Sequence, residues 1–142
     1  MIVVDTNVIA LTMQTDPDLV VSAWLDAQPR GVLWTTAVSM YEIEVGVLLM
    51  PAGVKRRRLE GLLRDIQLRF DGQVLPLDVA AARMAAQLRA RRHKAGVNIE
   101  LNDTFIAGIV LANDARIATR NTRHFADLGD RVIDPWSSPT DA

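Results

Sequence analysis

The chain has no cysteine, which excludes structural disulfides and thiolate metal sites alike. It has only two histidines, His93 and His124, and their separation fits no zinc-binding spacing. No apolar run reaches the length of a membrane-spanning helix, and no charged-then-apolar leader precedes Ile2, so the expected location is the cytoplasm, with no membrane contact. Repeats, low-complexity tracts and long Pro/Gly linkers are absent too. One domain is therefore expected over residues 1–136, with a Ser/Pro/Thr/Asp tail over 137–142 that is expected to fray.

What remains is a chain of 142 residues, 49% hydrophobic and 23% charged, with the length and composition of a folded protein with its own core. The net charge of −1 decides nothing, but its distribution is uneven. Residues 55–94 hold eleven Lys and Arg against four acids, whereas residues 1–54 hold one Arg against six acids and residues 95–142 four Arg against seven. A basic middle between acidic ends suits a surface that attracts a polyanion and another that gathers carboxylates, although a solvated helix face gives the same pattern.

Short apolar runs alternate with helical patterns. Ile2–Asp5, Val32–Thr36, Val74–Asp78, Arg116–Thr119 and Arg131–Ile133 read as strands. Helices are expected from about Asp16 with Pro17 in the first turn, from Ser39 to about Met50, from Val54 to Phe70, from Val79 to about Lys94 with Gly96 closing it, and over Asp103–Asn113. Such alternation predicts a three-layer α/β/α sandwich around a mostly parallel five-stranded sheet.

The chemistry gathers on acids at the ends of these elements. Asp5 closes the first strand, and ligands of open parallel sheets bind outside the strands' carboxyl ends; Asp is also a common turn or cap residue there. Glu42 follows Ser39 in a Ser-x-x-Glu capping box, yet its neighbours at three and four positions, Val38, Ser39, Val45 and Gly46, are apolar or small. A carboxylate on such a face needs a partner or a cation. Asp103 opens a helix whose inward face runs through Ile106, Ala107, Val110 and Leu111, with Asn102 available as its cap. Asn121 stands at the tip of the fourth strand, where Thr119, alternating with Arg120, can turn its hydroxyl the same way.

Taken in order, Asp5-Thr6-Asn7, Ser39-x-x-Glu42, Asn102-Asp103-x-x-Ile106-Ala107 and Thr119-Arg120-Asn121-Thr122-x-x-Phe125 resemble the four motifs of a PIN domain, over roughly Met1 to Trp136. The variety most resembled is the VapC-like toxin of bacterial type II toxin–antitoxin pairs, in its FitB-like branch, whose C-terminal strand is similar to Val132-Ile133-Asp134-Pro135-Trp136. The resemblance implies an endoribonuclease that holds Mg²⁺ or Mn²⁺ on Asp5, Glu42 and Asp103. Thr6, Asn7, Ser39 and Thr119 would support these acids, Asn121 would take the fourth catalytic position, and Arg120 and Arg123 would bind substrate. The family often has Asp at that fourth position; Asn121 offers a carbonyl oxygen but adds no charge to hold a second metal.

A cognate antitoxin, a homodimer, and DNA contact only through the antitoxin are implied in the same way. Lys55–Arg58 and Arg89–Lys94 are further candidates for contact with the RNA backbone. Two other readings use the same residues: a catalytically weak PIN-fold module that only binds an antitoxin, and a small phosphatase or DNA nuclease.

Overall fold

The computed structural model describes residues 1–137; the rest of the tail expected to fray lies outside the described residues. Strands β1 (Ile2–Val4), β2 (Leu33–Thr36), β3 (Val74–Leu75), β4 (Arg116–Ala118) and β5 (Val132–Ile133) form one sheet in the order β3-β2-β1-β4-β5. Every neighbouring pair is parallel, so the sheet is wholly parallel rather than mostly so. In β1 all three residues are buried, as expected of a central strand covered on both faces.

Alternation along that strand divides the core in two. Val3 packs with Leu88, Ile106, Ile109, Ile117 and Phe125, beneath α5 (Val79–Lys94), α6 (Leu101–Ala112) and the 3₁₀ segment Thr122–Arg131. Val4 packs the other way, with Val8, Val21, Ile43, Leu63 and Phe70, beneath α1 (Thr6–Thr12), α2 (Leu19–Asp26), α3 (Ala37–Leu48) and α4 (Val54–Arg69). These are the three layers expected.

The chain leaves β1 for β2 and β3 on one side, then crosses to β4 and β5 on the other. The switch point of the sheet therefore lies between β1 and β4, whose register pairs Val4 with Ala118. The next residues, Asp5 and Thr119, continue past that edge; the Asp5 amide still bonds the Ala118 carbonyl at 3.0 Å.

Several elements differ from expectation for identifiable reasons. Helix α1 is unanticipated: it has seven residues, rich in β-branched types, and is held by the Asp5 cap and by burial of Val8 and Ile9 rather than by propensity. Helix α2 begins at Leu19, capped by Asp18, so Pro17 precedes the helix instead of opening it. Helix α3 begins two residues before Ser39 and is capped by Thr36, whose hydroxyl accepts from the Ser39 amide at 3.0 Å; the Ser39-Glu42 capping box does not form. Helix α6 begins at Leu101 after Glu100, with no side-chain cap, so Asn102 is not its cap. The 3₁₀ segment Thr122–Arg131, kinked at Gly129, was not anticipated either.

Helix α5 runs over the residues expected. Gly96 (φ 73°) closes it with a paired motif, Gly96 N–H to the His93 carbonyl at 3.1 Å and Val97 N–H to the Arg92 carbonyl at 2.8 Å. Gly108 lets α6 lie directly on α5: a Cβ there would stand 2.5 Å from the Ala81 carbonyl oxygen and 2.7 Å from the Ala85 Cβ. That close approach sets where the first turn of α6, and with it Asp103, meets the sheet edge.

Candidate functional site

Asp5 is almost wholly buried (1% exposed), and its carboxylate is held from three directions. Oδ1 accepts from the Thr6 amide at 2.8 Å; Oδ2 accepts from the Thr119 hydroxyl at 2.7 Å and from Asn7 Nδ2 at 3.2 Å. Asp5 thus caps α1 through one carboxylate oxygen while the other meets Thr119 and Asn7. Asn7 ties the two strand tips together further, since its Oδ1 accepts from the Arg120 amide at 3.1 Å. Thr119 in turn accepts from the Asn121 amide at 3.0 Å.

A second arm reaches α3. Thr6 Oγ1 lies 2.8 Å from Glu42 Oε1 and 2.9 Å from Ser39 Oγ. A carboxylate only accepts, so the Thr6 hydroxyl donates to Glu42 and receives the Ser39 hydroxyl. Ser39, fully buried, also meets Thr36 Oγ1 at 3.2 Å. Glu42 is thereby fixed on its half-buried face by a run of three hydroxyl groups.

Asp103 comes from α6 and is buried; its Oδ2 meets His124 Nδ1 at 2.5 Å. Behind that pair stands Arg92, 5% exposed, which forks onto Asp127 with two bonds of 2.8 Å. The same guanidinium donates to the His124 carbonyl at 3.0 Å and to Thr104 Oγ1 at 3.3 Å, bracing α5, α6 and the 3₁₀ segment together. Arg92 is therefore a strut and not available to substrate, which removes it from the candidate Arg89–Lys94 cluster.

Burial pushes the Asp5 carboxyl up to about 6 from an ordinary 3.8; the Thr119 and Thr6 hydrogen bonds oppose this, and the nearby charges of Asp103 and Glu42 add to it. Two further acids, Asp103 and Glu42, thus press on the buried Asp5 carboxyl. Their oxygens form a hard, all-oxygen donor set of the kind that suits Mg²⁺ or Mn²⁺, and a cation there would relieve their mutual repulsion. Each acid is engaged by its own protein partner, however, and among the described residues no three Asp, Glu or His side chains are gathered closely enough to hold an ion as they stand. Glu42 Oε2 and Asp103 Oδ1 accept no hydrogen bond from the described residues.

Of the residues singled out in the sequence, Asp5, Thr6, Asn7, Ser39, Glu42 and Thr119 form one hydrogen-bonded network, and Asp103 joins it electrostatically. Asn121 touches it only through its backbone, with its side chain exposed. Arg123 is exposed on the 3₁₀ segment. The Arg120 guanidinium lies 4.8 Å from the centre of the Trp136 ring. Sequence reading missed His124, and placed Arg92 among the RNA contacts rather than as an internal strut. The available signal was His124 three residues beyond Asn121, which one 3₁₀ turn returns to the same side.

Comparison with known proteins identifies the family and the fold. Residues 2–130 match the family model described as PIN domain. The chain is 39% identical over 140 residues to the VapC ribonuclease Y4jK of Sinorhizobium fredii, covering 96% of this chain and 98% of that one. It is 34% identical over 137 residues to the toxin FitB of Neisseria gonorrhoeae, covering 96% and 99%. The crystal structure of FitAcB from Neisseria gonorrhoeae superposes with a TM-score of 0.89 at 32% identity, covering 97% of this chain and 100% of that one.

Proposed function

Because this chain belongs to the PIN domain family, we propose that it is a metal-dependent endoribonuclease, the toxin of a type II toxin–antitoxin pair. One observation carries the reading: a buried carboxylate, Asp5, at the switch point of a parallel sheet, held above its ordinary pKa by burial and by the charges of Asp103 and Glu42. The similarity to a VapC ribonuclease and to a toxin supports both the chemistry and the biological role.

Asp5 and Asp103 would be the direct ligands of Mg²⁺ or Mn²⁺, with Glu42 as ligand or as the group that orients the attacking water. The bound cation would supply charge neutralisation at the scissile phosphate and a more acidic water. Thr119 and the Thr6 amide hold the Asp5 oxygens, and Thr6 with Ser39 holds Glu42, so the carboxylates enter the reaction already aimed. His124 would fix Asp103 through its Oδ2. Arg120 and Arg123, flanking Asn121, would grip the phosphodiester backbone.

An antitoxin segment would lie in the groove of about 450 Å³ that opens beside Glu42 and Thr6, with Ala10 and Met13 on its wall and Lys55 and Arg58 at its side. Exposed Tyr41, Leu48 and Leu49 on and just past α3 suit a second copy of the chain. A homodimer is the expected state in solution, read by light scattering behind size exclusion.

The test is cleavage. Wild-type protein with Mn²⁺ should cut single-stranded RNA, fail with chelator, and leave DNA and phosphomonoesters untouched, while Asp5→Ala and Asp103→Ala should be inactive. Equal cleavage by wild type and both variants would sink the reading. A second reading is favoured by Asn121 in place of an acid and by the separate engagement of the three carboxylates: a PIN-fold module that binds its antitoxin without useful catalysis. It predicts no cleavage at any Mn²⁺ concentration together with tight antitoxin binding.

A further inference from the structure

Arg120 stands at the rim of the site, next in sequence to Thr119, and is exposed. An exposed arginine ordinarily samples many rotamers and loses that freedom when it grips an anion. Here it is tethered before any ligand arrives. Its amide is bonded to Asn7 Oδ1, the same side chain that bonds Asp5, so its backbone moves with the carboxylate. Its guanidinium carbon sits 4.8 Å from the centre of the Trp136 ring, within cation–π reach.

The indole is itself anchored. Trp136 Nε1 donates to Asp18 Oδ2 at 2.9 Å, while Oδ1 of the same carboxylate caps α2 through the Val20 and Val21 amides at 2.9 and 3.3 Å. Trp136 N–H is held by Asp134 Oδ1 at 2.9 Å, and the ring packs against the core cluster containing Val4 and Val8. Arg120 is thus held by Asn7 at its amide and by Trp136 at its guanidinium, with Asp18 anchoring the indole. Packing of Trp136 alone would need neither an indole N–H partner nor a cation on the ring.

We propose that Trp136 and Asp18 are positioning residues that hold the Arg120 guanidinium at the strand edge next to Thr119 as a prearranged grip for a backbone phosphate of single-stranded RNA. The proposal rests on the ribonuclease reading above. Its logic is preorganisation: a guanidinium already held loses less freedom on binding, so the tether shows in substrate affinity and not in the chemical step.

A double-mutant cycle tests it. The probe is a fluorescein-labelled single-stranded oligoribonucleotide of mixed sequence, its anisotropy followed across a KCl series with the full chain carrying Asp103→Asn to prevent cleavage. Arg120→Ala should raise Kd and lower the slope of log K against log salt by about 0.7. Trp136→Leu should raise Kd about two- to fivefold, Trp136→Phe and Asp18→Asn less, and none of them should add to the loss once Arg120 is Ala. In the active protein, Trp136→Leu should raise KM and leave kcat in place.

An equal loss on Trp136→Leu with or without Arg120 would overturn the proposal, as would unchanged Kd in Trp136→Leu and Asp18→Asn when Arg120→Ala weakens binding. Should Trp136→Leu fail to fold, Trp136→Phe and Asp18→Asn complete the cycle. If the parent protein binds no RNA, the ribonuclease reading falls and this one with it; if it binds and the losses multiply, only this one falls.

Discussion

Asp5 is costly to keep. Its carboxyl is raised to about 6, chiefly by burial, so in the folded metal-free protein it binds protons more tightly than in the unfolded chain. Stability should therefore fall as pH rises from about 4 to about 6 and then level off, a loss of roughly 2–3 kcal/mol. Urea midpoints of wild type compared with Asp5→Asn across that range isolate the effect; a constant difference between them would contradict it. Asn121→Asp adds a charge at the rim and should tighten Mn²⁺ binding; unchanged or weaker affinity would remove Asn121 from the site. Asp5 and Thr119 were legible in the sequence because a strand's alternation fixes which way its last side chains point. His124 was not: its place depends on a 3₁₀ turn that no hydrophobic period announces. Ser39 was legible as a site residue but misread as a cap, because Thr36 supplies an equally good hydroxyl three residues earlier.

Two contacts between elements hold the acid of α6 in place. Arg92 joins α5 to the 3₁₀ segment through a forked pair with Asp127 and reaches Thr104, the neighbour of Asp103. Asp127 is partly exposed, so the pair is worth less than a fully buried one. Even so, Arg92→Ala strands the buried ends of several hydrogen bonds and should cost roughly 2–4 kcal/mol in chemical denaturation. Arg92→Lys should recover only part of this, since an ammonium cannot fork onto a carboxylate. Gly108→Ala should cost about 1–3 kcal/mol, because the new methyl meets the α5 backbone and the helices must part. It should also lower RNA cleavage by shifting Asp103; a stable, fully active variant would refute that coupling. Long helices such as α4 and α5 were read with nearly the right ends, since periodicity and the Gly96 stop agree. Short α1 was lost because tertiary burial, not local preference, makes it a helix.

Over the whole molecule, one topological fact organises the chemistry: β1 sits at the centre of the sheet, and the chain switches sides beside it. Layer order and parallel strands were readable from the alternation of apolar runs with helical patterns. Spacing along the chain carries no strand order, so the expectation that Asp5, Glu42, Thr119 and Asp103 share one edge came with the family resemblance, and the order β3-β2-β1-β4-β5 supplies its physical reason. The basic middle resolves into distinct uses: Arg92 is an internal strut, Arg56 pairs with Glu60, and Lys55 and Arg58 border the groove beside Glu42. Among the described residues no helix is long and apolar enough to cross a membrane. The most direct measurement is a calorimetric Mn²⁺ titration of the metal-free protein at neutral pH, beside Asp5→Asn and Asp103→Asn. Saturable binding by wild type that both substitutions abolish is the expected result. Wild-type affinity retained in either variant, or no binding by wild type at millimolar Mn²⁺, would contradict a metal site built on these carboxylates.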